Sequence, residues 1–285
     1  MASCIGCGDA ITDGWLCARC EETARGPGYL SVIRSDTRDG YDSELFAVLE
    51  RLEEQSFWFR GRNSLILWAL RTYFPEARDM LEIGCGTGFV LQAIGRARPD
   101  LDIAGAELFP SGLDIARRRL PEVPLLLLDA RHLQLEGAFD VVGAFDVLEH
   151  VAEDDQVLTE MARAVRPGGG LLLTVPQHPR LWSAADSFAH HERRYRRAEL
   201  VAKVKRAGLR VVRTTSFVSL LLPVLVASRL RRARDLATYD LERELRLPRP
   251  VDRAFDSILR TERKLIGRGL SFPIGGSLLV VATKS

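Results

Sequence analysis

No apolar stretch in this chain of 285 residues reaches the eighteen or so that a bilayer-spanning helix needs. The opening residues, Met1-Ala2-Ser3-Cys4, have neither the basic segment nor the apolar run of a secretory leader, so the expected location is the cytosol. There is no internal repeat and no low-complexity tract, which excludes a repeat array. Thiols are scarce: of five cysteines, four fall in the first twenty residues, so no disulfide framework can run through the rest. A chain of this length can bury a full core without one. The formal net charge is only +2 and says little, because the charge is uneven. Between His190 and Arg234 thirteen Arg or Lys residues face two acidic ones, leaving the remainder net acidic. That stretch is either a solvated helical face or a patch for phosphate, carboxylate or a membrane surface.

The apolar fraction of 46% and charged fraction of 27% are those of an ordinary globular protein. The length suits one medium domain with attachments. Residues 1–28 read as a unit of their own. Cys4-Ile-Gly-Cys7 and Cys17-Ala-Arg-Cys20 are two knuckles, each offering two thiolates from a tight turn, which matches a tetrahedral Cys4 zinc site. In a reducing compartment such pairs favour metal over disulfide. Residues 29–75 are predicted to hold a poorly structured linker (29–40) and then one or two amphipathic helices from Ser43 to about Phe74.

From residue 76 to 285 strand and helix signals alternate. Strands are expected at Asp79–Ile83, Asp102–Glu107, Pro124–Leu128, Phe139–Phe145, Leu171–Val175 and Leu209–Phe217. Helices are expected between them, and Arg166-Pro-Gly-Gly-Gly170 reads as a turn. A largely helical insertion, 218–272, precedes a last strand at Ser277–Thr283. Such alternation predicts an α/β fold, a doubly wound sheet covered on both faces.

Leu81-Glu82-Ile83-Gly84-Cys85-Gly86-Thr87-Gly88 places a glycine turn between a buried strand and a helix, where backbone can approach a ligand closely. Glu107 ends the second strand, twenty-three residues after Gly84, where an acidic side chain can accept both ribose hydroxyls. Asp129 ends the third, within reach of an adenine amino group. With these, the stretches LEIGCGTG (81–88), AGAELFPSGLDIAR (104–117), FDVVGAFDVLEHV (139–151) and RAVRPGGGLLLTVP (163–176) resemble the class I S-adenosylmethionine-dependent methyltransferases over roughly residues 45–285. A nicotinamide dehydrogenase would want a small residue where Phe89 stands. The resemblance implies a seven-stranded Rossmann-like sheet with its last strand antiparallel. It also implies S-adenosylmethionine held by Glu82, Gly84, Cys85, Gly86 and Gly88 at the methionine end. Glu107 and Leu108 would lie at the ribose, Asp129 and Ala130 at the adenine, and Asp146 beside the cofactor. The first unit resembles a truncated zinc ribbon, and structural zinc at Cys4, Cys7, Cys17 and Cys20 follows from that resemblance as well as from the spacing.

Methyl transfer to oxygen needs proximity, orientation and a general base. His150, in Asp146-Val-Leu-Glu149-His150, is a candidate base. Some ubiquinone-pathway O-methyltransferases carry a similar acid-x-x-Glu-His stretch that can hold a divalent ion, although here Asp146 replaces the first Glu. After the fifth strand, LWS-x-x-D (181–186) and H-x-R-R-Y (191–195) resemble a bacterial subgroup, in which Asp186, His191, Arg194 and Tyr195 would face the acceptor. The subgroup also carries a stretch like Phe57-Trp58-Phe59-Arg60-Gly61-Arg62, which implies a lid with Arg62 at the methionine carboxylate.

Phe217–Ala227 is apolar except Ser219, and arginines follow to Arg234; eleven residues cannot span a membrane. They suit a buried helix, an apolar acceptor pocket or a peripheral membrane contact through 217–234. The expected function is methylation, most readily O-methylation, of a small-molecule, sugar or lipid-linked acceptor. Nucleic acid is not expected, because no base-flipping motif accompanies the basic stretch. The alternative is a noncatalytic zinc-containing scaffold on the same fold.

Overall fold

The computed structural model describes all residues except 1, 12–13, 27, 33–42, 232–239, 241 and 243–245. Two short strands, β1 (Ala2–Ser3) and β2 (Ala10–Ile11), pair antiparallel around the first knuckle, and α1 (Ala18–Arg25) carries the last thiol. Next come β3 (Leu30–Ser31), α2 (Ser43–Leu52) and α3 (Phe57–Tyr73). The alternating region follows as β4 (Asp79–Ile83), α4 (Phe89–Ala97), β5 (Asp102–Glu107), α5 (Pro110–Arg119), β6 (Leu125–Leu127), β7 (Phe139–Phe145), α6 (Asp154–Ala164) and β8 (Val165–Pro176). The chain ends in α7 (Ala184–Phe188), α8 (Arg197–Arg206), β9 (Arg210–Phe217), α9 (Leu222–Arg231), α10 (Arg249–Gly267) and β10 (Ser277–Thr283).

The large sheet runs β3-β6-β5-β4-β7-β8-β10-β9, with β10 antiparallel to both neighbours. Its fully buried strands read as continuous apolar runs, as expected of a sheet covered on both faces. One face packs against α6, α8 and α1 through Leu158, Val204 and Ala24, the other against α3, α4 and α10 through Leu70, Ile94 and Ile266. From β4 the chain winds first to β5 and β6 on one side, then to β7 and β8 on the other. That switch point opens a crevice at the strand C-termini.

Two expectations need correction. The sheet has eight strands, not seven, because β3 lies in the segment predicted to be a loose linker and pairs parallel with β6. A two-residue strand leaves no periodicity to read; the unpaired edge of β6 recruits it. Val32, just beyond β3, donates its N–H to the Leu127 carbonyl at 2.9 Å. The glycines 168–170 are no simple turn but part of β8 itself. At Gly169 and Gly170 a Cβ would run into the carbonyls of Asp140 and Ala282, so glycine is what lets the neighbouring strands close.

Of the helical insertion, α9 and α10 are described; Arg232 and Arg234 lie outside the described residues. No described helix is long and apolar enough to cross a membrane. Much of the basic excess is answered internally. Arg193 and Lys203 meet Asp154, Lys203 and Arg206 meet Asp155, and Arg194 meets Asp186. Arg213 donates to the Leu270 carbonyl.

Candidate active site

The glycine loop leaves β4 through three left-handed residues, Gly84, Gly86 and Gly88, with φ of 66°, 51° and 74°. A side chain at Gly84 would also strike Val147. Cys85 turns inward to pack with Leu91 and Leu125, and burial pushes its thiol pKa up. Its side chain is core, so any ligand contact it makes is through backbone. Glu107 ends β5 and fixes the loop. Its Oε2 accepts the Gly86 N–H at 2.9 Å, while Oε1 accepts those of Leu108 (2.7 Å) and Phe109 (3.2 Å). Burial raises its pKa and these three donors oppose the rise.

Glu82 sits 2% exposed beneath the loop, and its Oε2 has no hydrogen-bond partner among the described residues. Burial pushes its pKa well up, and the Arg62 guanidinium only partly counters this. Arg62 comes from α3 and binds Asp146 at 2.6 Å; its guanidinium lies over the Trp58 and Phe59 rings. Asp146 holds a left-handed backbone (φ 59°) just beyond β7. A buried acid with one oxygen unsatisfied, beside a cation and under a glycine loop, fits the ammonium and carboxylate of an amino acid. At the other end Asp129 follows β6, its Oδ1 accepting the Arg131 N–H and the carboxylate forked by the Arg131 guanidinium. Burial would raise its pKa, but Arg131 lowers it. Ala130 packs on the apolar cluster behind.

One group escaped the sequence reading. Glu53, directly after α2, accepts the Thr87 hydroxyl (2.6 Å) and pairs with Arg119 of α5 at 3.0 Å. Arg119 also donates to the Thr87 carbonyl. These residues tie the end of α2, the glycine loop and α5 together, and Phe46 of α2 would be met by a Cβ on Gly112. Glu53 is one acid of a Glu-Glu pair and Arg119 one of three consecutive arginines, so only the fold singles them out.

Beyond β7, Glu149, His150 and His191 bring one ligand atom each within 4.8 Å of one another. Glu149 is fully buried and neither oxygen has a hydrogen-bond partner among the described residues; burial, then the Asp146 charge, pushes its pKa well up. The His150 and His191 rings meet edge to face at 4.6 Å. Burial, aided by His191, lowers His150 to about 3. Asp186 Oδ1 lies 3.0 Å from His191 Nδ1 and 2.6 Å from Arg194 Nε. Burial alone would raise Asp186, but these partners hold its pKa well below the usual range. The donor set can take a divalent ion, and without Asp146, whose carboxylate is bound to Arg62. Tyr195 stands apart: its hydroxyl is buried 2.6 Å from Asp154 Oδ2 and 3.1 Å from the Leu148 carbonyl. Burial and then Asp154 raise its pKa, keeping the proton on.

The four N-terminal thiols also converge within 4.8 Å. Cys7 and Cys17 Sγ are 3.7 Å apart, against about 3.8 Å for the edge of a ZnS4 tetrahedron built on ordinary Zn–S bonds. The Cys17 N–H points at Cys4 Sγ (3.2 Å), and Gly8 turns the first knuckle with φ 80°. Without a cation, burial and the other three thiols push Cys20 to about 12. The donor chemistry fits zinc.

Residues 81–173 match a family model described as a methyltransferase domain. A Mycolicibacterium smegmatis protein described as a probable S-adenosylmethionine-dependent methyltransferase is 30% identical over 163 residues, 56% of this chain and 62% of that one. The dTDP-4-amino-2,3,4,6-tetradeoxy-D-glucose N,N-dimethyltransferase of Saccharopolyspora spinosa is 38% identical over 109 residues, 36% of this chain and 43% of that one. The chain thus spans 62% and 43% of these relatives' lengths. Among solved structures, phosphoethanolamine N-methyltransferase 2 of Haemonchus contortus with S-adenosylmethionine superposes with a TM-score of 0.57 at 18% identity, over 87% of this chain and 58% of that one. Segment 81–173, on which the glycine loop, Glu107, Asp129, Asp146 and Glu149 all lie, is similar to methyltransferase domains, and the chain shares their Rossmann-like fold.

Proposed function

We propose that this chain is an S-adenosylmethionine-dependent methyltransferase acting on a small-molecule, sugar or lipid-linked acceptor. The observation that carries the reading is Glu107, anchored by one oxygen to the glycine loop and by the other to the backbone beyond β5. That geometry suits a carboxylate facing ribose hydroxyls at a switch point. Glu82 and Arg62 would take the amino-acid end and Asp129 with Ala130 would border the adenine.

The sulfonium supplies an activated methyl group, and the chain's residues hold and deprotonate the acceptor. His191 is the base best placed for an acceptor hydroxyl, its Nδ1 held by Asp186 so that Nε2 is left for the proton. This favours O-methylation. The same pocket supports a second reading, in which Glu149, His150 and His191 hold a divalent ion that lowers the hydroxyl pKa. Tyr195 we assign to the scaffold. The exposed side chains of Trp182 and Phe188 flank the His191 segment, and Leu220 and Val224 stand out near α9; these suit an apolar acceptor or a membrane surface. The four thiols would hold a structural zinc, since no ligand position is left open.

Calorimetry with S-adenosylmethionine tests the assignment. Binding that weakens by about 100-fold in Glu107→Ala is expected, in line with the loss of a charge-assisted double hydrogen bond. A wild-type chain that does not bind would favour the scaffold alternative. At saturating cofactor, with the thiol site still loaded, chelation separates base from metal: only the metal reading predicts loss of turnover restored by a divalent ion.

A further inference from the structure

The zinc-type unit is built into the sheet. Cys4, Cys20 and Ala24 share one apolar cluster with Leu126, Leu128 and Phe139, and Ala130 packs against it. The Trp15 ring meets Phe139 at 5.2 Å. A Cβ on Gly6, inside the first knuckle, would lie 2.9 Å from Cys20 Sγ and 2.6 Å from Leu30, so knuckle, α1 and β3 meet at one point. From there β3 pairs with Leu126–Leu127 of β6, and two residues on stands Asp129. β6 is only three residues long and depends on β3 for its outer partner.

We propose that the metal held by Cys4, Cys7, Cys17 and Cys20 positions the adenine end of the cofactor crevice through α1 and β3, coupling metal occupancy to cofactor affinity. The inference rests on the cofactor reading above. An eight-residue helix and two-residue strands have too little structure of their own to stay folded. Cross-linking by the metal supplies the missing free energy. Its loss would release α1, unpair β3 and leave the Asp129–Ala130 turn without backing. The Gly84–Gly88 and Glu107 end, on central strands, would keep its geometry.

The test uses the full chain loaded with zinc and then stripped by a chelator. Cofactor affinity, read by calorimetry, should fall about ten-fold or more on stripping, within the usual range of coupling between sites. Hydrogen exchange should lose protection over 125–132 while 79–83 and 139–145 keep theirs. Linkage is reciprocal, so saturating S-adenosylmethionine should tighten equilibrium zinc binding by the same factor, read as competition with the chelator. Trp15→Ala leaves all four thiols and should weaken cofactor binding, with zinc retained or lost more readily. Unchanged affinity and exchange in the stripped protein would overturn the coupling, as would simultaneous loss of protection in the central strands. A zinc-loaded chain that fails to bind cofactor would instead count against the methyltransferase reading, and exchange over 125–132 would still judge the metal's hold on the strand.

Discussion

Tyr195 is the residue on which sequence resemblance and geometry part most sharply, and Tyr195→Phe separates them. The phenol is buried, and its shorter contact is to a carboxylate, Asp154, 2.6 Å away. A buried hydrogen bond to a charged group contributes about 1.5–3 kcal/mol. Asp154 Oδ1 keeps Arg193 and Lys203 at 2.8 Å each after the change, so the charge stays compensated although Oδ2 loses the phenol, and the lower figure applies. The ring still fills its site, so no cavity term is added. A loss of about 1.5 kcal/mol corresponds to a fall in Tm of roughly 3–6 °C for a domain of this size. Thermal unfolding and calorimetry with S-adenosylmethionine make the assay, with turnover added for any accepted acceptor. Destabilisation with affinity and turnover unchanged is expected. An unaltered Tm with a turnover loss of about 100-fold or more would refute the structural assignment and return the hydroxyl to the chemistry.

Glu53→Ala should cost about 3 kcal/mol, the low end for a broken buried pair, read by urea unfolding, because nearly buried Arg119 loses its carboxylate and keeps the Thr87 oxygens and the Phe89 ring. It should also weaken cofactor binding, since the end of α2 loses its tie to the glycine loop; a stable variant with wild-type affinity would show that the tie is incidental. His150 makes stability fall in acid. Its pKa is depressed to about 3 in the fold from an ordinary 6.5, so its contribution is fully present above pH 6.5 and is lost as pH falls from there towards 3. Replacing it with Gln should flatten the stability profile in that window, measured as urea midpoint against pH; parallel profiles would show that the ring is hydrated and not buried.

The alternation of apolar runs with helical patterns, and the glycine turn after Ile83, determined the class of fold and the place of the crevice without coordinates. Strands buried on both faces and glycines forced to positive φ leave marks at fixed positions in one dimension. The knuckles were legible for the same reason, since two thiols per tight turn is a local constraint. What the sequence did not contain was anything set by contact between distant segments. The tie of Glu53 to Arg119, the internal pairing of the basic stretch with Asp154 and Asp155, and the meeting of Glu149 with His191 are of this kind. So is the eighth strand: Leu30–Ser31 has no strand pattern, and only the open edge of β6, with the thiol unit packed beside it, makes it one. A charged side chain reads alike in sequence whether solvated, paired or catalytic, and its burial and neighbours, which decide among these, exist only once the chain has folded.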